Sequence, residues 1–244
     1  MRLYDSFETS RHLVFVMELC AGGDLLTYVR KRGCLPEDLA RELFSQAAAA
    51  VHYCHKKGIV HRDVKLDNLL LDVGSSLDHR STEPTVKLCD FGVSRLLQDP
   101  ANDVMTEQCG TPAYIAPEIL LGCQADGNGY RGFTPDVWSL GVCLYAMLFG
   151  TVPFKANNMA DLHQMIVKAK YSLKKKQRTE DLSKDLKSLI RGLLEPDPTK
   201  RLTMAQVRKH PWMLSKSKAR VEILSEMELT TIRRDFTYQE MAKS

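Results

Sequence analysis

The sequence lacks the features that mark several large functional classes. Its formal net charge is only +4 over 244 residues, and no basic stripe with interleaved aromatic residues occurs, so we expect no nucleic-acid partner. The short run KKKQR at 174–178 is typical of a solvated face. The most apolar stretch, residues 137–150, is too short to cross a bilayer and predicts a helix that is buried on nearly all sides. The first residues carry no apolar secretory signal, so we expect neither secretion nor a membrane partner.

Paired cysteines are lacking as well. The seven cysteines are odd in number and form no C-x-x-C pair, which argues against a structural zinc site. Five of them lie in apolar or mixed segments and are predicted to be buried, reduced thiols: Cys20, Cys54, Cys89, Cys109 and Cys143. Reduced thiols favour a cytoplasmic or nuclear location. With 44% hydrophobic and 26% charged residues, the composition is otherwise that of an ordinary globular protein.

Strand and helix signals run along most of the chain. Residues 13–19, LVFVMEL, predict a buried strand, with 3–7 as a possible antiparallel partner. Asp24 can cap a short helix, and Pro36 begins a long amphipathic helix that ends at Gly58. The pattern further predicts a strand at 86–89 and helices at 135–149, 158–169, 181–194 and 203–209. Two stretches lack a clear period and predict loops, 72–84 and 90–118.

The densest cluster of polar residues is HRDVKLDN at 61–68, which plain leucines follow. Buried polar groups need partners, so this stretch is either a solvated loop or an assembled site. An Asp or Asn in a loop is, taken alone, more typical of a turn. The meaning of the stretch therefore depends on what else the chain carries.

Three further motifs follow it in order: DFG at 90–92, APE at 116–118 and DVWSLG at 136–141. Together the four resemble the signature of the eukaryotic protein kinase family, and the resemblance runs from about residue 1 to Trp212. It implies an α+β, protein-kinase-like fold that consists mainly of the helical C-terminal lobe. Residues 1–19 would be a remnant of the N-lobe sheet with the start of the hinge, 20–212 the C-lobe, and 213–244 a C-terminal tail.

The resemblance implies ATP and Mg²⁺ as cofactors and assigns the catalytic positions. Asp63 matches the carboxylate that accepts the proton of the substrate hydroxyl, and Lys65 matches the cation that steadies the transferred phosphoryl group. Asn68 and Asp90 match the magnesium ligands, since both offer the hard oxygen atoms that Mg²⁺ prefers. His61 and Phe91 match a stack that aligns the two lobes.

Other positions match the nucleotide pocket and the serine/threonine branch. Met17 would lie at the back of the adenine pocket, the backbone of Glu18 and Cys20 would bond the adenine edge, and the floor and ribose positions would be Leu70 and Asp24. Lys65 and GTPAYIAPE (110–118) resemble the serine/threonine branch, closest in style to the calcium/calmodulin-dependent and energy-sensing groups. The same resemblance implies that Thr111 bonds Asp63 and Lys65, that Glu118 pairs with Arg201, and that Asp136 braces the catalytic loop, which is the HRDVKLDN stretch at 61–68.

Regulation and substrate choice leave two alternatives each. Glu107 stands where many relatives carry a phosphorylated Thr, so it can pair with Arg62 in place of a phosphate; alternatively, the neighbouring Thr106 is the switch. Asp24 and Asp67 stand where some relatives meet basic residues N-terminal to the target Ser or Thr. The other interpretation is a helix cap for Asp24 and a solvated carboxylate for Asp67.

The sequence departs from the family at its beginning. It has no G-x-G-x-x-G loop, no V-A-I-K-like strand, and no helix with the Glu that pairs with that Lys. We therefore expect a truncated kinase that is weakly active or inactive alone. A non-catalytic interaction module is the main alternative, although it would tolerate loss of Asp63, Asn68 or Asp90, which are all kept. A small-molecule phosphotransferase is disfavoured by the APE segment.

Overall fold

A helical body carries most of the chain in the computed structural model, which describes residues 1–73, 84–100, 103–122, 129–173 and 181–215. The strands are β1 (Leu3–Glu8), β2 (Leu13–Met17), β3 (Ile59–Val60), β4 (Leu69–Asp72), β5 (Thr85–Leu88), β6 (Arg95–Leu96), β7 (Val104–Met105) and β8 (Tyr130–Arg131). The helices are α1 (Leu25–Arg32), α2 (Glu37–Lys56), α3 (Pro117–Gly122), α4 (Thr134–Phe149), α5 (Met159–Val167), α6 (Lys184–Leu193), α7 (Met204–Lys209) and α8 (Pro211–Leu214). The mixture of helices with small sheets confirms the predicted α+β class. No helix in these ranges is both long enough and apolar enough to span a membrane.

The strands form antiparallel pairs rather than one sheet. Within the described ranges the pairs are β1 with β2, β3 with β6, β4 with β5, and β7 with β8. In the β4–β5 hairpin Leu70 lies opposite Lys87 and Leu71 opposite Val86. The hairpin packs against α2, and Cys89 and Asp90 follow directly from its second strand.

The core is built around α4 and α2. Every residue of α4 from Pro135 to Phe149 is buried, as the apolar run predicts, and the helix ends at Gly150, whose positive φ of 64° suits glycine. Gly141 lets α6 approach closely, because a Cβ there would lie 2.8 Å from the Cβ of Leu193. The predicted helices agree with α1, α2 and α4 to α7 within a few residues. The polar loops are attached to these buried helices.

Three sequence expectations are wrong. The strand predicted to be buried at 13–19 is mostly exposed in β2, because among the described elements β1 and β2 pack substantially only on each other. The predicted loop at 90–118 contains β6, β7 and α3, elements too short to leave a period in the sequence. Cys89 and Cys109 are partly exposed rather than buried, whereas Cys20, Cys54 and Cys143 are buried.

Several expectations fall outside the described residues. They concern most of the 72–84 loop, the KKKQR run and nearly all of the 213–244 tail. The division of the chain at 19 and 212 stays a prediction.

Candidate active site

Asp136, at the start of α4, is the buried anchor of the polar loop. Its side chain is fully buried, and it accepts hydrogen bonds from the backbone N–H of His61 at 2.8 Å and of Arg62 at 2.9 Å. The Nε2 atom of His55, near the end of α2, lies 2.8 Å from the same carboxylate. Burial alone would raise the pKa of Asp136, but the hydrogen bonds from His55 and His61 outweigh it and lower the pKa. The loop is thus tied to the most buried helix of the protein.

This anchor holds Arg62 in an unusual backbone conformation. Arg62 has a φ of 68°, in the left-handed region that a residue other than glycine enters at a cost of about 1–3 kcal/mol. The residue that follows this turn, Asp63, contacts Thr111. Such strain persists only where surrounding bonds determine the conformation, and here those bonds come from Asp136.

Asp63 lies at the centre of a compact set of polar contacts. Its Oδ2 atom is 2.7 Å from the ammonium group of Lys65, and its Oδ1 atom accepts from both the backbone N–H and the hydroxyl of Thr111 at 2.9 Å. Lys65 also donates to the Thr111 hydroxyl at 3.0 Å. Burial raises the pKa of Asp63, but the bonds from Lys65 and Thr111 outweigh it and leave the pKa below its ordinary value. Asp63 is therefore a carboxylate, and a proton acceptor, at neutral pH.

Asn68 lies against Asp63, and a backbone hydrogen bond ties it to the residue before Asp90. The amide nitrogen of Asn68 donates to the backbone oxygen of Asp63 at 2.9 Å, so its amide oxygen is the atom that can bind a cation. The backbone N–H of Cys89 donates to the Asn68 carbonyl at 3.0 Å, which brings Asp90 beside Asn68. Asp90 is exposed and, with a φ of 60°, also adopts the left-handed conformation.

This donor set fits a magnesium ion that shares its ligands with a phosphate. In the described ranges no group of three His, Cys, Asp or Glu side chains could hold a metal by itself. Mg²⁺ is typically bound by one or two protein oxygens, with waters and substrate phosphates completing the shell. Asn68 and Asp90 supply such a pair. His61 closes this side, because its ring lies 4.8 Å from that of Phe91 and its Nε2 atom 3.0 Å from the Cys89 carbonyl.

The segment from Met17 to Asp24, which contains the residues predicted to bind the nucleotide, is hydrogen-bonded to β4. The backbone N–H of Gly22 donates to the Leu71 carbonyl at 2.9 Å, and Leu71 donates back to Gly23 at 2.8 Å. Only glycine fits at position 22, since a Cβ there would lie 2.7 Å from the Leu71 carbonyl oxygen. Leu70, the predicted pocket floor, is thereby brought opposite the segment, where it bridges to Asp24.

Asp24 acts as a helix cap in the structure. Its two carboxylate oxygens accept from the backbone N–H of Thr27 at 2.7 Å and from the Thr27 hydroxyl at 3.0 Å. The backbone N–H of Glu18, a residue predicted to bond the adenine edge, donates to the backbone carbonyl of Arg2 at 2.9 Å. Met17 is half exposed and Cys20 is buried.

Lys87 is a residue of this region that the sequence interpretation missed. Its ammonium group lies 2.5 Å from the Glu18 carboxylate and 2.6 Å from that of Asp72, so it links β5 to Glu18, in the segment predicted to bind adenine. A signal was present, because Lys87 alternates with the buried Val86 and Leu88 and so must face the other side of the hairpin. His55, the partner of Asp136, was also missed, and nothing in its helical spacing distinguishes it.

The stretch 90–118, here called the activation segment, is held against the HRDVKLDN loop (61–68) by Glu107. Its carboxylate lies 3.1 Å from Arg62 and 3.7 Å from Arg95, and the hydroxyl of Tyr130 donates to its backbone carbonyl at 3.2 Å. Thr106, the alternative switch, is exposed. The structure thus brings together Glu107 and Arg62, and it adds Arg95 and Tyr130, which sequence reasoning did not identify.

A buried ion pair fixes the end of the activation segment. Arg201 is almost fully buried and binds Glu118 through both terminal nitrogens, one of them at 2.8 Å. It also donates to the backbone carbonyls of Glu195 and Thr134 at 2.8 and 2.9 Å, and its guanidinium group lies over the ring of Trp138. Chemically, the whole arrangement presents a carboxylate base, a fixed cation and two hard oxygen ligands side by side.

Comparison with known proteins places this geometry in context. The family model for the protein kinase domain matches residues 1–213. The chain is 37% identical over 220 residues to CBL-interacting serine/threonine-protein kinase 16 of Arabidopsis thaliana, which covers 87% of this chain and 43% of that protein. It is 39% identical over 214 residues to CBL-interacting protein kinase 20 of Oryza sativa subsp. japonica, with 87% and 43% covered. It is 39% identical over 212 residues to serine/threonine protein kinase OSK3 of Oryza sativa subsp. indica, with 87% and 38% covered. The chain therefore spans about two fifths of the length of these relatives.

Proposed function

This chain belongs to the serine/threonine branch of the protein kinase family, and from that premise we propose that the complete protein phosphorylates Ser and Thr hydroxyls of protein substrates. The observation that carries the proposal is the contact set of Asp63 with Lys65 and Thr111. ATP with Mg²⁺, when bound, supplies the phosphoryl group and neutralises its charge. The residues of the chain orient the substrate hydroxyl and move its proton.

Asp63 is the group we assign to the substrate proton. Its pKa lies below the ordinary value, so it is ionised at neutral pH and can accept a hydrogen bond from an incoming hydroxyl. Lys65 holds a fixed positive charge beside it. Burial lowers the pKa of Lys65, but the opposing effect of Asp63, Asp67 and Asp90 is larger, so the pKa lies above its ordinary value. A preorganised cation at this point stabilises negative charge on the reacting phosphoryl group.

Asn68 and Asp90 are the residues we assign to the cation. Glu18 and Cys20 would meet the adenine edge, with Leu70 beneath the base. The capping contacts of Asp24 favour its structural interpretation, although a carboxylate oxygen keeps lone pairs for a second partner. Six cysteines of the described ranges are free thiols, which supports our proposal of a cytoplasmic or nuclear location.

Phosphate transfer from radiolabelled ATP to a mixture of Ser- and Thr-containing peptides tests the proposal in the complete protein. We expect incorporation that Asp63→Asn lowers by at least about 100-fold, because general base catalysis typically contributes that much. Asp185→Asn, at an exposed carboxylate of α6, serves as the control and should leave the rate of phosphate incorporation unchanged. No incorporation, or incorporation that survives Asp63→Asn, would instead favour a non-catalytic interaction module.

We also propose that Glu107 replaces a regulatory phosphate. The contacts with Arg62 and Arg95 give it the cationic environment that a phosphate would otherwise use. The protein freed of phosphate should then be active. Glu107→Ala should lower the peptide phosphorylation rate severalfold, and Thr106→Ala should leave it unchanged. A phosphate-free protein that stays inactive until Thr106 is modified would show that Thr106 is the switch.

For substrate choice we propose a preference for basic residues N-terminal to the target Ser or Thr. Asp67 is exposed in the catalytic loop and lies close enough to Lys65 to raise its pKa, so its negative charge is near the site. Asp24 contributes less to this proposal, since its oxygens are engaged with Thr27. A positional peptide library should show Arg or Lys enriched before the target residue, and Asp67→Asn should weaken that enrichment. A library without basic enrichment contradicts the proposal.

A further inference from the structure

A cavity of about 330 Å³ lies behind the catalytic loop, away from the residues assigned to phosphoryl transfer. It opens between the end of α2, the start of α4 and the start of α7. Neither Asp63, Asn68 nor Asp90 lines it. Its volume is at the lower end of the range of about 300–1,000 Å³ that small-molecule sites occupy.

The walls of this cavity are apolar and partly aromatic. Phe133, Val137, Leu202 and Met204 contribute to them. The ring of His55 also faces the cavity and stacks on that of Phe133, with the centroids 4.4 Å apart and the planes 19° from parallel. Flat walls of this kind suit a planar ring, because aromatic groups gain from offset stacking as well as from burial.

The charge at the cavity is entirely of one sign. Two further lining side chains, His52 and Lys56, are basic or can become so, and no Asp or Glu lines the cavity in the described ranges. Burial lowers the pKa of His52, and repulsion from Arg208 and Lys56 lowers it further, so His52 is a neutral ring at neutral pH. The carboxylate that His55 contacts, Asp136, already accepts hydrogen bonds from His55 and from the backbone of His61. The ammonium group of Lys56 at this opening therefore suits an anionic partner, with the His52 ring beside it as a neutral hydrogen-bonding group.

We propose that this cavity binds a small aromatic carboxylate, with the ring against Phe133 and Met204 and the carboxylate at Lys56 and His52. A size of one or two fused rings matches the volume. The site would be distinct from the nucleotide pocket, yet its occupant would touch His55. Since His55 bonds to Asp136, which holds the backbone of His61 and Arg62, the occupant would be connected to the catalytic loop through two residues, His55 and Asp136.

Calorimetric titration of the 244-residue chain with 2-naphthoate, and separately with the neutral 2-naphthamide, tests the proposal. We expect saturable binding of one naphthoate per chain. The amide should bind about fivefold more weakly, which is the difference expected of one exposed charge pair. Raising the salt concentration should weaken the naphthoate but not the naphthamide, because exposed charges are screened.

Two variants and one matched control locate the binding. Lys56→Gln should weaken naphthoate about fivefold, whereas Lys57→Gln, at the neighbouring lysine beside Tyr53, should leave it unchanged. His52→Phe keeps a ring but removes the polar nitrogens, and it should also weaken naphthoate selectively. Circular dichroism checks that each variant is folded. If one of the two variants does not fold, the other by itself tests the proposal. Absent or multiple-site binding, equal affinity for the amide, or equal effects at Lys56 and Lys57 would overturn the proposal.

Discussion

Replacing Asp136 by Asn tests how much the buried anchor of the catalytic loop contributes to stability. The change keeps the shape of the side chain but replaces its carboxylate by a neutral amide. The carboxylate accepts hydrogen bonds from the His55 ring and from the backbone N–H groups of His61 and Arg62. In its better orientation the new amide group leaves one backbone N–H facing another donor. Hydrogen bonds to a buried charge contribute roughly 1.5–3 kcal/mol each, and breaking such a buried arrangement typically costs about 3–5 kcal/mol.

We therefore expect Asp136→Asn to lower the free energy of unfolding by about 3–5 kcal/mol, a large part of the roughly 5–15 kcal/mol that a domain has. Urea unfolding followed by circular dichroism at pH 7 measures it. Asp67→Asn, at an exposed carboxylate of the same loop, is the matched control and should leave the urea midpoint unchanged. A loss of less than about 1 kcal/mol for Asp136→Asn would show that these hydrogen bonds do not hold the loop.

The pH dependence of the same pair of proteins gives a second check. The pKa of Asp136 is lower in the folded protein than in the unfolded chain. Its contribution to stability is therefore complete above the unfolded value of about 3.9 and is lost as the pH falls through the folded value. The difference in unfolding free energy between parent and variant should be constant from about pH 7 to 5 and shrink below about pH 4. A difference that already shrinks between pH 7 and 5 would point to another group.

Two further changes test the support of the site. Glu118→Ala should lower the free energy of unfolding by about 3–5 kcal/mol, because it leaves the buried Arg201 without its counter-charge; Lys200→Ala, at an exposed neighbour, should not move the urea midpoint, and equal effects of the two would contradict this reasoning. Gly22→Ala should cost about 1–3 kcal/mol and weaken nucleotide binding, since the added methyl group meets the backbone of Leu71; a thermal melt and a nucleotide titration measure this, and an unchanged melting temperature would count against it.

Sequence reasoning was strongest where local patterns and motifs decide the outcome. The helical period predicted α2 and α4, and the order of the polar motifs predicted the family before any geometry was available. Contacts between distant residues could be stated only through the resemblance, as for Glu118 with Arg201. The roles of Lys87 and His55 were not predicted, because their partners lie far away in the sequence and no hydrophobic period distinguishes these contacts.

The sequence by itself determined the helices α1, α2 and α4 to α7, where the apolar core lies and which family the chain resembles, because periodicity, helix caps and motif spacing are local properties. Only the tertiary structure decided that the hairpin at 3–17 is exposed, since burial depends on what packs over a strand and not on its composition. It also decided which carboxylates are engaged: Asp136 is enclosed by donors, whereas Asp90 stays open to solvent. The left-handed turn at Arg62 follows from that enclosure, because a strained backbone is kept only where surrounding bonds outweigh its cost.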